Sequence, residues 1–256
     1  MKQKRCMMHG IEAAVLWGDE LIFEPHSHDE YVISTNVFGN ETMVLDGKAM
    51  TAPEGATTLY NPGHVQGGRG TSLLVSIYLE PDFFQHHFDI EGLIDFEHPI
   101  VKSKKLALEM NSLISPIMNN CDNQILADKI IPILYGLCQD YTAKRLEIIS
   151  GKNDKRVALI KEMLEDIFPN TPALSELAKL ADVSIPTLTK LFVDETGLPP
   201  ISWQRSKRLA QARSKLKRRQ PISQVALDLG FADQAHMTRF FSRSFGVSPG
   251  KFSEIY

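Results

Sequence analysis

Two short stretches of helical periodicity, separated by a tight turn, close the chain between Ile222 and Pro249. In the first, Val225, Ala226 and Leu229 recur on one side, Ser223 is placed to cap the helix, and Ile222 can close a hydrophobic staple on Leu227. In the second, Met237, Phe240, Phe241 and Ser244 share one face, while Ala235, Thr238, Arg239 and Ser242 share the other. Gly230 suits the turn, Asp233 the cap of the second helix, Gly246 its end and Pro249 a stop.

The same pattern occurs upstream. LSELAKLADVSIPTLTKLFVDETGLPP at 174–200 aligns with the later stretch at an offset of 48 residues, which becomes 49 in the second helix. Ala178 matches Ala226, Leu191 and Phe192 match Phe240 and Phe241, Lys190 matches Arg239, Gly197 matches Gly246, and Pro200 matches Pro249. A generic helical hairpin inside an enzyme does not recur with turn, cap and basic residue in register. Two helix-turn-helix units are therefore expected, at about 172–197 and 222–246. Thr171 and Pro172 are expected as cap and first residue of the first unit. Before it, Val157, Ile160, Leu164, Ile167 and Phe168 predict one further helix, closed by Pro169.

The N-terminal part has a different period. From Ile11 to about Tyr78, β-prone runs (VISTNVF, ETMVLDG, ATTLYNP, SLLVSIYL) are cut by turn signals at 39–40, 46–47 and 61–63. Short, regularly spaced strands predict a small antiparallel barrel or sandwich. From Pro81 to about Ile149 the spacing becomes three and four, with Leu106, Met110, Leu113 and Ile117 in one stripe and Ile130, Leu134, Leu137 and Tyr141 in another. Pro132 should kink the second helix or mark its start. These stripes either pack on the barrel or pair with their copy in a homodimer. The expected fold class is α+β, with an antiparallel barrel and its helices over residues 1–150 and an all-helical domain over 151–256.

Charge sharpens that division. Residues 151–256 carry 17 Lys and Arg against 11 Asp and Glu, a net +6, whereas residues 1–150 carry 11 against 20, a net −9. The second half is thus the one suited to a polyanion. A basic helix at about 200–218 joins the two units, and ISWQRSKRLAQARSKLKRR at 201–219 has eight basic residues and no acidic one. Its Trp203, Leu209, Ala210 and Leu216 can bury one side while the charges face solvent or phosphate. Such a rigid link suits two readers about 34 Å apart, one turn of DNA.

No run reaches the roughly 18–20 apolar residues of a membrane span, and MKQKRCMMHG has no apolar signal core, so a cytoplasmic location without a membrane partner is expected. Cys6, Cys121 and Cys138 are too scattered for a disulfide framework, a cysteine-rich zinc site or a repair methyltransferase. In the barrel, His26 and His28 are two apart on a strand candidate and point the same way, so they can share a metal or line one pocket wall.

Residues 155–256 resemble the two-unit DNA-binding domain of the AraC/XylS family, through Ile222, Ala226, Gly230-Phe231, Phe240-Phe241 and Phe245-Gly246-Val247-Ser248-Pro249. The N-terminal segment resembles that family's cupin barrel and, more distantly, the metal cupins. Gly47, Pro53 and Gly55 keep the cupin spacing, but Val32 and Ile33 stand where a metal cupin has glutamate, and Thr58 stands where it has its last histidine. No metal or cofactor is therefore expected. The resemblance implies a transcription regulator rather than an enzyme, bound to a double-stranded operator and carrying a small-molecule effector pocket lined by His26, His28, Tyr31 and His64. RNA polymerase is a further partner to consider. A metal-dependent cupin enzyme fused to a DNA-binding tail, or a barrel that only dimerises, are the alternatives.

By position, the family's base-reading residues fall on Pro186, Thr189 and Lys190 in the first unit and Gln234, Ala235 and Arg239 in the second. Arg205, Arg208, Lys215 and Arg243 are expected on phosphates. Arginine reads guanine bidentately, glutamine can read adenine, and lysine is a less discriminating point charge. Asp182, where the second unit has Gly230, should strain the first turn. The second unit is accordingly expected to carry more of the specificity.

Overall fold

The computed structural model describes residues 1–8, 10–88, 94–120, 122–144, 154–166 and 170–256. The boundary expected at 150/151, Cys121, Ile167, Phe168 and Pro169 lie outside the described residues.

Nine strands open the chain: β1 Lys2–Met8, β2 Ile11–Trp17, β3 Ile22–Ser27, β4 Tyr31–Phe38, β5 Glu41–Leu45, β6 Lys48–Ala52, β7 Thr57–Tyr60, β8 Val65–Arg69 and β9 Leu73–Leu79. After α1 (Phe83–Phe88) come the short strands β10 (Ile94–Phe96) and β11 (Ile100–Val101), and β12 (Thr142–Lys144) later pairs with β10. The main strands form two antiparallel sheets, in the orders β1-β2-β9-β4-β7-β11 and β3-β8-β5-β6. Leu16, Val32, Tyr60 and Leu74 of the first pack with Met43 and Ala52 of the second between the sheets.

The other face of the larger sheet is also covered. Helices α2 (Lys104–Asn111), α3 (Ile114–Met118) and α4 (Asn123–Tyr141) place Leu106, Met110, Ile117, Ile130 and Leu134 against Ile11, Ala13, Ile33, Val75 and Ile77. The first predicted stripe thus packs on the sheet but spans two helices, broken at Ser112–Leu113. Pro132 lies in the interior of α4 rather than at its start.

The C-terminal half is helical: α5 Lys155–Asp166, α6 Leu174–Leu180, α7 Ile185–Thr196, α8 Pro200–Lys217, α9 Ile222–Asp228, α10 Gln234–Phe245 and α11 Pro249–Ser253. The two hairpins, α6–α7 and α9–α10, repeat bond for bond at the turn. The Val183 amide donates to the Ala178 carbonyl at 3.0 Å, and the Phe231 amide donates to the Ala226 carbonyl at 3.0 Å. Asp182 and Gly230 hold the left-handed positions, at φ 51° and 70°. Ser184 and Asp233 cap the reading helices, and Gly197 and Gly246 end them at φ 76° and 67°.

Three helix starts differ from the expectation. α6 begins at Leu174, not Pro172, because Glu176 reaches back to accept from the Ala173 amide at 3.1 Å. α9 begins at Ile222 behind Pro221, so Ser223 is inside the helix; Leu227 is exposed and closes no staple. Pro249 starts the short α11, where a missing N–H costs nothing.

Helix α8 runs through both units. Trp203 completes the first core with Leu177, Leu188 and Phe192, and Leu209, Ala212 and Leu216 complete the second with Val225, Met237 and Phe241. The barrel edge joins the first core through Val65.

Candidate DNA-reading surface and barrel pocket

The reading helices present their predicted residues outward. Pro186 and Lys190 on α7, and Gln234, Ala235 and Arg239 on α10, are exposed. Thr189 is half-buried and donates its hydroxyl to the Ile185 carbonyl at 2.9 Å. The opposite faces hold Leu188 and Phe192 in one unit, Met237 and Phe241 in the other, fully buried.

The residues expected on phosphates separate into different environments. Arg243 is exposed. Arg205 is half-buried, with its guanidinium 4.1 Å over the Phe240 ring, and Lys215 is half-buried at 3.5 Å from Asp228. Arg208 departs from the expectation. It is buried, and its guanidinium donates to the carbonyls of Gly230 (3.2 Å) and Asn170 (2.8 Å), to Thr171 Oγ1 (2.8 Å) and to Gln204 Oε1 (3.0 Å). Five donors in a planar fork let one side chain bind the turn of the second unit to the approach of the first. It is a strut between the units, not a phosphate contact.

In the barrel, His26 and His28 line a cavity of about 50 Å³ between the sheets, together with Glu41, Tyr60, Gln66 and Tyr78. That volume holds a few waters. The two Nε2 atoms are 3.0 Å apart. Burial pushes both imidazoles down, His26 to about 3 and His28 to about 4, so both are neutral near pH 7.

Tyr31 does not reach this cavity. It opens β4 with Ile33 on the helix-covered face, donates to the Ile94 carbonyl at 2.7 Å and packs edge-on against Phe84 and Phe96. Strand parity sends Val32 and Ser34 inward instead. His64 Nδ1 lies 2.9 Å from an Asp46 carboxylate oxygen, and His64 is not among the residues lining the cavity. Glu41, missing from the predicted set, faces inward with Met43, as the alternation of ETMVL allows. Among the described residues, no group of three His, Cys, Asp or Glu side chains could hold a metal ion.

The helical half lies directly on the histidine wall. Phe245, the last residue of α10, contacts both His26 and His28 edge-on, with ring centroids 5.3 Å away in each case. Beside it, Arg213 of α8 is fully buried, its guanidinium 4.5 Å from the Tyr78 ring centre and 5.0 Å from that of Phe252. Arg213 pairs with Glu12 and, through Nε at 3.2 Å, with Glu30; Arg5 and Tyr256 also bond Glu12. Lys217 pairs with Glu30 and lies 3.2 Å from Glu80. Three carboxylates thus meet three cations. Burial opposes the charge on Glu30, but the charges of Arg213 and Lys217 hold its carboxyl well below the usual range.

These contacts form a continuous polar path. His26 Nδ1 lies 2.7 Å from the Glu24 carbonyl and must donate there, so its Nε2 accepts from His28 Nε2. His28 Nδ1, 3.3 Å from Glu30, then lacks a proton to give the carboxylate. Cavity wall, Glu30 and Arg213 are therefore linked through a contact one proton short of full satisfaction.

Helix-turn-helix pairs with exposed polar reading faces, joined to a two-sheet barrel with an internal cavity, define a class of DNA-binding regulators with a ligand-binding domain. Comparison with known proteins agrees at both ends of the chain. Residues 11–129 match the AraC-like ligand binding domain, and residues 177–255 match a helix-turn-helix domain. The HTH-type transcriptional activator RhaS from Enterobacter sp. (strain 638) is 24% identical over 243 residues, covering 89% of this chain and 86% of that one. The arabinose operon regulatory protein of Escherichia coli (strain K12) is 22% identical over 249 residues, covering 91% and 84%. Among solved structures, ToxT from Vibrio cholerae has the same fold, with a TM-score of 0.55, 15% identity and coverage of 96% of this chain and 98% of that one. A second ToxT structure, bound to an unsaturated fatty acid, has a TM-score of 0.55 at 15% identity, covering 97% and 98%. The chain belongs to the AraC/XylS family of DNA-binding transcription regulators. No described helix is long and apolar enough to cross a membrane.

Proposed function

We propose that a small molecule enters the barrel cavity and changes how α8 and α10 are held on the barrel, thereby altering occupancy of a DNA operator. The observation that carries this reading is the path from His26 and His28 through Glu30 to Arg213 and Lys217, with Phe245 resting on the same histidines. A ligand acts only through a difference in affinity between two arrangements, and the cavity wall is also the docking surface of the second unit. In this reading Pro186, Thr189 and Lys190 face one major groove, and Gln234, Ala235 and Arg239 the next, with Arg205, Lys215 and Arg243 on phosphates.

The name of RhaS, a transcriptional activator, favours activation; RNA polymerase as a further contact and a cytoplasmic location belong to the same proposal. A homodimer belongs to the same proposal, and the exposed Leu108 on α2 is a candidate contact for it. The test needs no ligand. Glu30→Gln removes the charge that lies between His28 and Arg213, and binding sites are then selected from random DNA by both proteins. The expected result is a changed affinity for the selected sites with the same base preference. Equal affinity in the two proteins would overturn the coupling.

A further inference from the structure

The barrel cavity contains a buried carboxyl group that no cation in its wall balances. Glu41 opens β5 and is 5% exposed, yet no Lys or Arg lines the cavity and no ion pair to Glu41 exists among the described residues. The two lining histidines are neutral, and the Asn36 amide only partly offsets the burial that pushes the Glu41 carboxyl up to about 7. The nearest buried cations, Arg5 and Arg213, lie beyond the histidine pair, bound to Glu12 and Glu30.

A second polar side chain lines the same space. Gln66, on the neighbouring strand β8, lines the cavity at 8% exposure, and its Oε1 is buried without a hydrogen-bond partner. Gln66 and Gly68 are two apart on β8 and face the same side, and Glu41 occupies the room that Gly68 leaves: a Cβ there would lie 2.3 Å from Glu41 Oε1. A carboxyl and an amide side chain therefore line one small space. A carboxylate ligand would meet the wrong sign of charge, whereas an ammonium group brings three donors and a compensating charge.

From this geometry we propose that the cavity takes a small organic ammonium ion, paired with Glu41 and hydrogen-bonded to Gln66. This rests on the reading of the barrel as a ligand-binding domain and specifies its ligand class. It sets this chain apart from ToxT, whose bound fatty acid carries the opposite charge.

The experiment is thermal unfolding of the full chain at pH 8 with ethylammonium, ethanol or acetate at matched ionic strength, with potassium chloride as control. Ethylammonium should raise the midpoint saturably, and the other compounds should not. Glu41→Gln, which keeps the side chain's shape, should weaken the apparent affinity at least tenfold. Gly68→Ala should also weaken it, since the added methyl displaces the carboxyl without removing its charge. An ethylammonium response that persists unchanged in Glu41→Gln overturns the assignment, as does an equal response to ethanol or acetate. A saturable ethanol or acetate response that a cavity-filling Ser34→Leu removes would overturn the charge while leaving the barrel a ligand-binding domain. Absence of any saturable response overturns the ligand class alone, because the Glu30→Gln site selection tests coupling without a ligand.

Discussion

The two helix-turn-helix units share their turn hydrogen bonds and caps but are attached to the barrel by different means. The first is held by Val65 in its core and by close backbone packing: at the β5–β6 turn, Gly47 lies so close that a Cβ there would be 3.0 Å from the Val193 carbonyl and 3.1 Å from the Gly197 Cα. The second is held through side chains, with Phe245 on the histidine wall and Arg213 in the buried ion cluster beside it. Close backbone packing leaves little to adjust. Polar and aromatic side chains on a cavity wall can respond to what the cavity holds, so the second unit is the one placed to receive the signal.

The largest test of that contrast is Arg213→Ala. Removing one partner of the buried cluster leaves three carboxylates facing two cations, at a cost of about 3–5 kcal/mol. Urea unfolding should show the loss, and hydrogen exchange should show it concentrated in α9–α11 rather than in α6–α7.

Acid should act on the same side. His26 and His28 have folded values below the ordinary imidazole range, so the unfolded chain takes up their protons first and their contribution is lost as pH falls from 6.5 toward about 4. Glu41 works oppositely: its carboxyl is raised to about 7, so its contribution falls as pH rises from 4.5 to 7. Two histidines outweigh one carboxyl, so the wild type should lose stability from pH 7 to 4.5, with Glu41 offsetting part of the loss. Glu41→Gln, with the histidine effect unopposed, should lose about 2–3 kcal/mol more than the wild type over that range. A flat profile in the variant would remove the histidines from the argument.

A smaller effect separates the reading faces. Arg239→Ala should cost about 1–3 kcal/mol on a specific site and relax base preference. Lys190→Ala should weaken binding with less loss of discrimination, measured across single-base operator variants. Equal loss at both would mean that the units read equally. The smallest change is Asp182→Gly, which relieves a left-handed aspartate and should stabilise the first unit by about 0.5–1 kcal/mol, read from its thermal midpoint.

The helical half was legible because its signal is periodic and doubled: Ala178 with Ala226, and Phe192 with Phe241, announce the same core twice. The barrel was legible only in part. β1 lies before the stretch that reads as β-prone, and its KQKRCMM shows little alternation of apolar and polar residues. β2, covered on both faces, has no alternation to read. His26 and His28 were found from their spacing, but Tyr31 begins a new strand whose parity the spacing rule does not carry across the turn. Glu41 looks like a solvent residue after a Gly-Asn turn, and only its common face with Met43 hints otherwise. Arg208 and Arg213 lie in a run of charge that reads as a solvated face, and their burial depends on partners 22 to 201 residues away.

Helix α8 serves three neighbours at once, since Trp203 faces the first core, Leu209 and Leu216 the second, and Arg213 the barrel. A single inserted residue would turn everything after it by about 100° relative to everything before it. The length of α8 therefore sets both the separation and the relative rotation of the two helix-turn-helix units.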